Sequence, residues 1–189
     1  MKISILLPYK ENYSHEYAGA VSLFVKDTSK LSKYNSNITV YGSTNYKKYL
    51  TKNYKNILLK KNVFTSQTNQ YIDNFVKTQT NDVGLIEVHN RPNYINLIKF
   101  LKKKLVLYFH NDPNKMLGSK TVNDKINLIN SCSNIIFNSN WSKNQFSNQL
   151  PLAYRKSQKL IVIYQSTDKK KIDFTKKENL ISFVGKLNS

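Results

Sequence analysis

The chain has 189 residues, enough for one full domain with a substantial core or for one domain and the beginning of another, whereas two complete domains would be cramped. Its 30 Lys and Arg residues against 11 Asp and Glu residues give a formal net charge of +19, which favours contact with phosphate, nucleic acid or an anionic membrane surface. The excess is widely spread and almost all lysine, so a solvated lysine surface explains it as well as a binding surface does. A single cysteine excludes an internal disulfide.

The amino-terminal third predicts alternating strands and helices. Lys2 to Leu7 is an almost continuous apolar run, as expected for a parallel strand that is covered on both faces. A polar loop then leads through Ala18-Gly19-Ala20 into a helix with apolar residues at helical spacing. The next predicted elements are a strand at Ile38 to Tyr41, a helical stretch at Tyr46 to Tyr54, a strand at Ile57 to Leu59 and a helix at Ser66 to Thr78.

Two strands in the middle of the chain each deliver a histidine at the carboxyl end. Val83 to Val88 precedes His89, and Leu105 to Phe109 precedes His110, each in a polar turn that ends at a proline. The segment between the two strands is one short helix, so the pattern is a βαβ unit. Open α/β sheets bind their ligands at the carboxyl ends of such strands.

The remaining elements continue the alternation. They are a helix with Val122, Ile126, Ile129 and Cys132 on one apolar face, a strand at Asn134 to Phe137, a helix that carries Trp141 and begins after Asn138-Ser139, and strands at Leu160 to Tyr164 and Leu180 to Val184. The polar, lysine-rich stretch before the last strand is typical of a linker between domains. We therefore expect an α/β fold, a Rossmann-like parallel sheet flanked by helices over residues 1–165, then a linker over residues 166–179. Residues 180–189 would be the first strand of a second domain.

Taken together, these motifs resemble the amino-terminal half of a retaining family 4 glycosyltransferase of the GT-B fold. Six pieces match in family order, which makes the resemblance fairly specific, and together they cover the whole chain. The pieces are the opening strand with Ala18-Gly19-Ala20, Glu87-Val88-His89-Asn90-Arg91-Pro92, Tyr108-Phe109-His110-Asn111-Asp112-Pro113, Ile136-Phe137-Asn138-Ser139-Asn140-Trp141, Val162-Ile163-Tyr164-Gln165-Ser166-Thr167-Asp168 and Phe183-Val184-Gly185-Lys186-Leu187.

The resemblance implies transfer of a sugar from a nucleotide donor, such as a UDP- or GDP-sugar, to a cell-surface glycan or a lipid-linked acceptor. In this family the first of two Rossmann-like domains mainly binds the acceptor and the second binds the donor. The resemblance implies no metal and no cofactor beyond the nucleotide sugar. Because most of the donor domain is missing, we expect the chain to bind donor poorly and to turn over little by itself.

The resemblance also assigns site residues. His110 matches the family's histidine beside the transferred sugar and the leaving phosphate, where an imidazole can hydrogen-bond developing charge near neutral pH. Gly19 and Ala20 fall at the turn that approaches the donor diphosphate, where backbone N–H groups reach an anion at a helix start. Lys186 falls where the family places a cation, usually arginine, against that diphosphate.

We assign the polar residues beside the two histidines to acceptor contact: His89, Asn90, Arg91, Asn111 and Asp112. Three of these residues have an alternative, structural role. In that alternative Arg91 pairs with Glu87 or Asp112, and Asn111 and Asp112 form the turn before Pro113.

Two other classes of function fit parts of the sequence. A nucleic-acid-binding module is suggested by the charge and the thirteen tyrosines, but many of these tyrosines fall where core packing explains them, so we do not expect a nucleic-acid partner. A non-catalytic partner domain is a further alternative. The three histidines show no metal-ligand spacing. No apolar run reaches the about 20 residues of a membrane span, so we expect a cytoplasmic protein, at most peripheral at the inner face of a membrane.

Overall fold

The computed structural model describes residues 1–59 and 66–165. In this part of the chain the strands are β1 (Lys2–Leu6), β2 (Ile38–Gly42), β3 (Tyr54–Asn56), β4 (Val83–His89), β5 (Lys104–Phe109), β6 (Asn134–Phe137) and β7 (Leu160–Val162). The α-helices are α1 (Ala20–Leu31), α2 (Gln67–Lys77), α3 (Pro92–Ile98), α4 (Val122–Ser131), α5 (Asn140–Ser147) and α6 (Leu152–Arg155). Short 3-10 helices lie at Asn35–Asn37, Lys99–Leu101 and Pro113–Lys115.

The strands form one parallel sheet in the order β3-β2-β1-β4-β5-β6-β7, and helices flank it. The predicted α/β, Rossmann-like fold is therefore confirmed. The strand order reverses between β1 and β4, which makes their carboxyl ends the point where open sheets of this kind bind ligands. His89 is the last residue of β4, next to that point.

The two faces of the sheet are covered differently. On one face α2, α3, α4 and α5 pack over a large core that includes Phe75, Ile95, Ile129 and Phe146. On the other face α1 packs a smaller core through Val21 and Val25. Strand β5 is buried in all but its first residue, as its apolar run predicts.

Helices α2 and α4 begin where the sequence provides a capping side chain. The Ser66 side chain accepts a hydrogen bond from Asn69 N at the start of α2, as the predicted helix from Ser66 to Thr78 requires. Thr121 and Asp124 form a reciprocal capping box at the start of α4. Cys132, at the end of α4, is 2% exposed, which confirms the buried thiol.

One part of the prediction was wrong. No helix forms between Tyr46 and Tyr54, and the third strand is Tyr54–Asn56 rather than Ile57 to Leu59. The strand starts at Tyr54 because this ring is buried and stacks on Tyr13, 4.8 Å between centroids, so a long-range contact sets the position of the strand. The predicted linker and the strand at Leu180 to Val184 lie outside the described residues. Within the described ranges, no helix is long and apolar enough to cross a membrane.

Candidate active site at the carboxyl edge of the sheet

The two predicted site histidines meet at the carboxyl ends of β4 and β5. These strands are neighbours, with His89 opposite Tyr108 in the register, so His110 lies two residues beyond the last paired position. The ring atoms His89 Nδ1 and His110 Nε2 are 2.8 Å apart, a direct hydrogen bond. The sequence brings both histidines to one edge of the sheet, and the structure joins them as a pair.

Polar partners extend this pair at both ends. The second ring nitrogen of His89, Nε2, lies 2.7 Å from Glu87 Oε1. The second ring nitrogen of His110, Nδ1, lies 3.0 Å from Gln165 Nε2. Four side chains therefore form one continuous hydrogen-bonded row along the sheet, and we call Glu87, His89 and His110 the histidine relay.

Aromatic rings enclose the relay. Tyr108 stacks on His110 with ring centroids 4.5 Å apart, and Phe24 of α1 approaches His110 edge-on at 5.0 Å. His89 is fully buried, and His110 is partly buried. Burial, together with the neighbouring His89, lowers the pKa of His110 to about 3. At neutral pH His110 is therefore an uncharged imidazole.

Asn90 braces the turn that carries His110. Its backbone has a left-handed conformation, φ 52°, which asparagine adopts more readily than most residues. Its backbone N–H donates to the Tyr108 carbonyl at 2.8 Å, and its side-chain oxygen accepts from the His110 N–H at 2.9 Å. Asn138 secures the other side, because its side chain donates to the His110 carbonyl at 2.9 Å.

His110 opens into a polar cleft of about 360 Å³ at the edge of the sheet. The cleft is lined by Pro8, Glu11, Ala20, Val21, Asn90, Arg91, His110, Asn111 and Gln165. It therefore brings together five residues that the sequence assigned to one site: His110, Ala20, Asn90, Arg91 and Asn111.

The start of α1 is occupied by a carboxylate of the chain itself. Glu11 Oε1 accepts a hydrogen bond from Ser22 N at 3.2 Å, in the first turn of the helix. Gly19 is the N-cap, and a Cβ at this position would lie 2.0 Å from Glu11 Oε1. The absence of a side chain at Gly19 thus leaves room for an anion at the helix start, and in this structure the anion is Glu11.

Three of the assigned acceptor residues have structural partners. The His89 ring, assigned to acceptor contact, is fully buried, and both of its nitrogens have hydrogen-bond partners within the relay. Asp112 accepts from Asn114 N at 3.0 Å and caps a 3-10 turn, the alternative that was left open. Arg91 donates to the Asn90 carbonyl at 2.8 Å, and among the described residues no ion pair links it to Glu87 or Asp112. Lys186 lies outside the described residues.

The loop after His110 is anchored by a buried lysine. Lys125 of α4 is fully buried, and its Nζ donates to Asn114 Oδ1 at 2.8 Å and lies 5.7 Å from the centre of the Phe146 ring. Burial lowers the pKa of this lysine. The contact ties the loop that follows β5 to α4 and α5, and so limits the movement of the cleft wall.

Sequence reasoning missed four residues that shape the site: Glu11, Phe24, Glu87 and Gln165. Glu87 could have been found, because residues i and i+2 of a strand point to the same face and Glu87 lies two before His89. Gln165 and Glu11 lie far from the histidines in sequence, and no local pattern connects them. Phe24 reads as an ordinary apolar position of a helix.

Comparison with known proteins adds no family to this description. A scan against protein-family models finds no matching family, and a search of curated proteins finds no match. In the described part of the chain, no cluster of three or more His, Cys, Asp or Glu residues is placed to bind a metal ion.

Proposed function

We propose that this chain contains the acceptor-side domain of a retaining glycosyltransferase that uses a nucleotide-sugar donor. The observation that carries the proposal is the cleft at the carboxyl edge of β1, β4 and β5. There His110, Asn90, Arg91 and Asn111 meet the start of α1 at the point where the strand order reverses. The resemblance of the sequence motifs to family 4 glycosyltransferases supports the same reaction class.

An uncharged His110 suits a ligand with hydroxyl groups. Its Nδ1 atom faces the cleft, where Gln165 is its partner in the unliganded chain. Stacking on Tyr108 and bracing by Asn90 keep the ring in one orientation, so a sugar hydroxyl that reaches it finds a prepared hydrogen-bonding site. We therefore assign the transferred sugar to the neighbourhood of His110.

The donor phosphates would approach the start of α1. Backbone N–H groups at a helix start favour an anion, and the chain's own Glu11 carboxylate already uses this preference. A nucleotide diphosphate would displace Glu11 from Ser22 N. The donor is a substrate in this proposal, and no further cofactor is needed.

A second cleft suggests what the acceptor carries. It has a volume of about 500 Å³, shares Asn90 and Arg91 with the first cleft, and is lined by Lys10, Arg91 and Lys115 but by no carboxylate. Three cations without a neutralising acid favour a negatively charged group. An acceptor with a phosphate, such as a lipid-linked glycan, fits this cleft better than a neutral glycan does.

The direct test is binding of nucleotide sugars, followed by amide chemical shifts in two-dimensional NMR. We expect UDP- or GDP-hexoses at high concentration to bind weakly, as the sequence predicts for the acceptor-side domain by itself, and to shift residues around His110 and the start of α1. His110→Ala should weaken this binding at least tenfold, about 1.4 kcal/mol, because it removes the prepared partner of the sugar. His15→Ala is the matched control, since His15 is exposed and lies outside the cleft.

Two results would contradict the proposal. In the first, nucleotide sugars cause no shifts at the cleft, or bind equally well to His110→Ala and to the unaltered chain. In the second, an oligonucleotide shifts the cleft residues while nucleotide sugars do not, and the nucleic-acid alternative would then replace the glycosyltransferase.

A further inference from the structure

The histidine relay determines which ring nitrogen of His110 carries the proton, as well as where the ring lies. We propose that Glu87 and His89 are positioning residues which fix the tautomer of His110, so that its Nδ1 lone pair faces the cleft and accepts a hydrogen bond from a substrate hydroxyl. The inference rests on the proposed function, because that function identifies the hydroxyl near His110 as one of a sugar. It assigns to Glu87 and His89 a role that the sequence did not indicate.

The direction follows from the hydrogen bonds. A carboxylate can only accept, so the His89 nitrogen at 2.7 Å from Glu87 must carry the proton, which is Nε2–H. At the other end of the row the Gln165 amide nitrogen can only donate, so the neutral His110 ring accepts at Nδ1 and carries its proton on Nε2. His110 Nε2–H then donates to His89 Nδ1 at 2.8 Å. His110 Nδ1 therefore faces the cleft without a proton, and the amide of Gln165 donates to it at 3.0 Å.

The surroundings favour an uncharged ring at His110. This ring lies against Tyr108 and Phe24, and its pKa is lowered to about 3 by burial and by His89. An isolated imidazolium at His110 would be costly there, so the ring stays neutral and one of its nitrogens keeps a lone pair. The other charged groups of the cleft are Glu11 and Arg91, on its rim.

This direction selects the chemical class of the group that touches His110. A lone pair accepts from a hydroxyl and repels a phosphate oxygen, which has no proton to donate. The hydroxyl partner is thus a sugar or an acceptor alcohol, while the diphosphate belongs at the start of α1.

The test is the tautomer of the three histidines in the whole chain, read from 15N NMR of the imidazole nitrogens at neutral pH. We expect a directly bonded proton on Nε2 of His89 and of His110, and an unprotonated Nδ1 on both. The unprotonated state of His110 Nδ1 should persist in mildly acidic buffer. The exposed His15 supplies reference signals in the same spectra. A proton on Nδ1 of His110, or a charged ring at either relay position, would overturn the inference.

A substitution separates the role of Glu87 from simple packing. In Glu87→Leu the acceptor of His89 Nε2–H is lost, and we expect the Nδ1–H tautomer to appear at both relay histidines. Asp73→Leu is the matched control, because it removes an exposed carboxylate from α2 and should leave the tautomers unchanged. Unchanged tautomers in a folded Glu87→Leu chain would show that Glu87 does not set the direction. The measurement needs no bound substrate, so its failure would leave the binding test of the glycosyltransferase proposal standing.

Discussion

At the scale of single residues, Glu11 links the stability of α1 to the affinity of the cleft for anions. Its carboxylate accepts from Ser22 N, and it competes with any phosphate for the same helix start. We expect Glu11→Ala to lower the free energy of unfolding by about 1 kcal/mol, since a helix end loses its anionic partner. We expect the same change to strengthen binding of a nucleoside diphosphate severalfold, because the site no longer has to be vacated.

Glu11→Ala is expected to lower the stability and to raise the affinity for nucleotide, whereas general damage to the fold would lower both. Urea unfolding measures the first effect, and isothermal titration calorimetry with UDP and GDP measures the second. Glu16→Ala is the control, because Glu16 is exposed on the same loop. Weaker nucleotide binding in Glu11→Ala would show that the carboxylate does not compete with the phosphates.

At the scale of elements, α1 supports the relay as well as its own core. Phe24 contacts the rings of His89, Tyr108 and His110 at centroid distances of 6.2, 5.0 and 5.0 Å. Phe24→Ala would remove this cover and admit water. We therefore expect a loss of about 1 to 3 kcal/mol of stability and faster solvent exchange of the ring N–H protons of the relay. Imidazole N–H signals in proton NMR measure that exchange.

A second substitution in the same helix serves as the control. Leu23 is 44% exposed, so Leu23→Ala should leave the relay protons protected. Equal protection in Phe24→Ala and in the unaltered chain would mean that the stacked Tyr108 alone excludes water.

The elements that could be predicted are those whose own residues show that they are buried or where they begin. Strands β1, β4 and β5 are rich in apolar residues, and α2 has a capping serine, so local patterns suffice for them. Strand β3 reads Tyr54-Lys55-Asn56, and neither its apolar content nor a turn residue marks it. It forms because β2 offers an open edge and the Tyr54 ring packs on Tyr13, a contact between residues 41 positions apart.

The site shows the same division. Two histidines at the ends of neighbouring parallel strands must come close, so the pair of His89 and His110 could be expected. Which of the two faces the cleft depends on the cover from Phe24 and on the acceptor Glu87 below. The Phe24 contact comes from packing between elements, which the alternation of residues along one strand does not reveal, whereas Glu87 lies two residues before His89 on the same face of β4.

At the scale of the whole molecule, the net charge of +19 and the tyrosines have separate explanations. Stacking of bases requires exposed aromatic rings on a basic face. Six of the tyrosines are instead buried: Tyr13, Tyr41, Tyr54, Tyr71, Tyr94 and Tyr108. These six rings build the core and are unavailable for stacking on bases. A lysine-rich surface attracts anionic surfaces of many kinds, and for the proposed glycosyltransferase with a lipid-linked acceptor the relevant one would be the membrane.

This charge predicts a specific salt dependence. We expect the chain to sediment with vesicles that contain anionic phospholipid and not with neutral phosphatidylcholine vesicles, because each lysine near an anionic surface contributes about 1 kcal/mol. The bound fraction should fall sharply between about 0.1 M and about 1 M salt, over which the Debye length shortens from about 10 Å to about 3 Å. Binding to neutral vesicles, or binding that survives high salt, would require apolar insertion rather than charge. In that case the lysines would be ordinary solvated surface residues, and their charge would not be what binds the chain to a membrane.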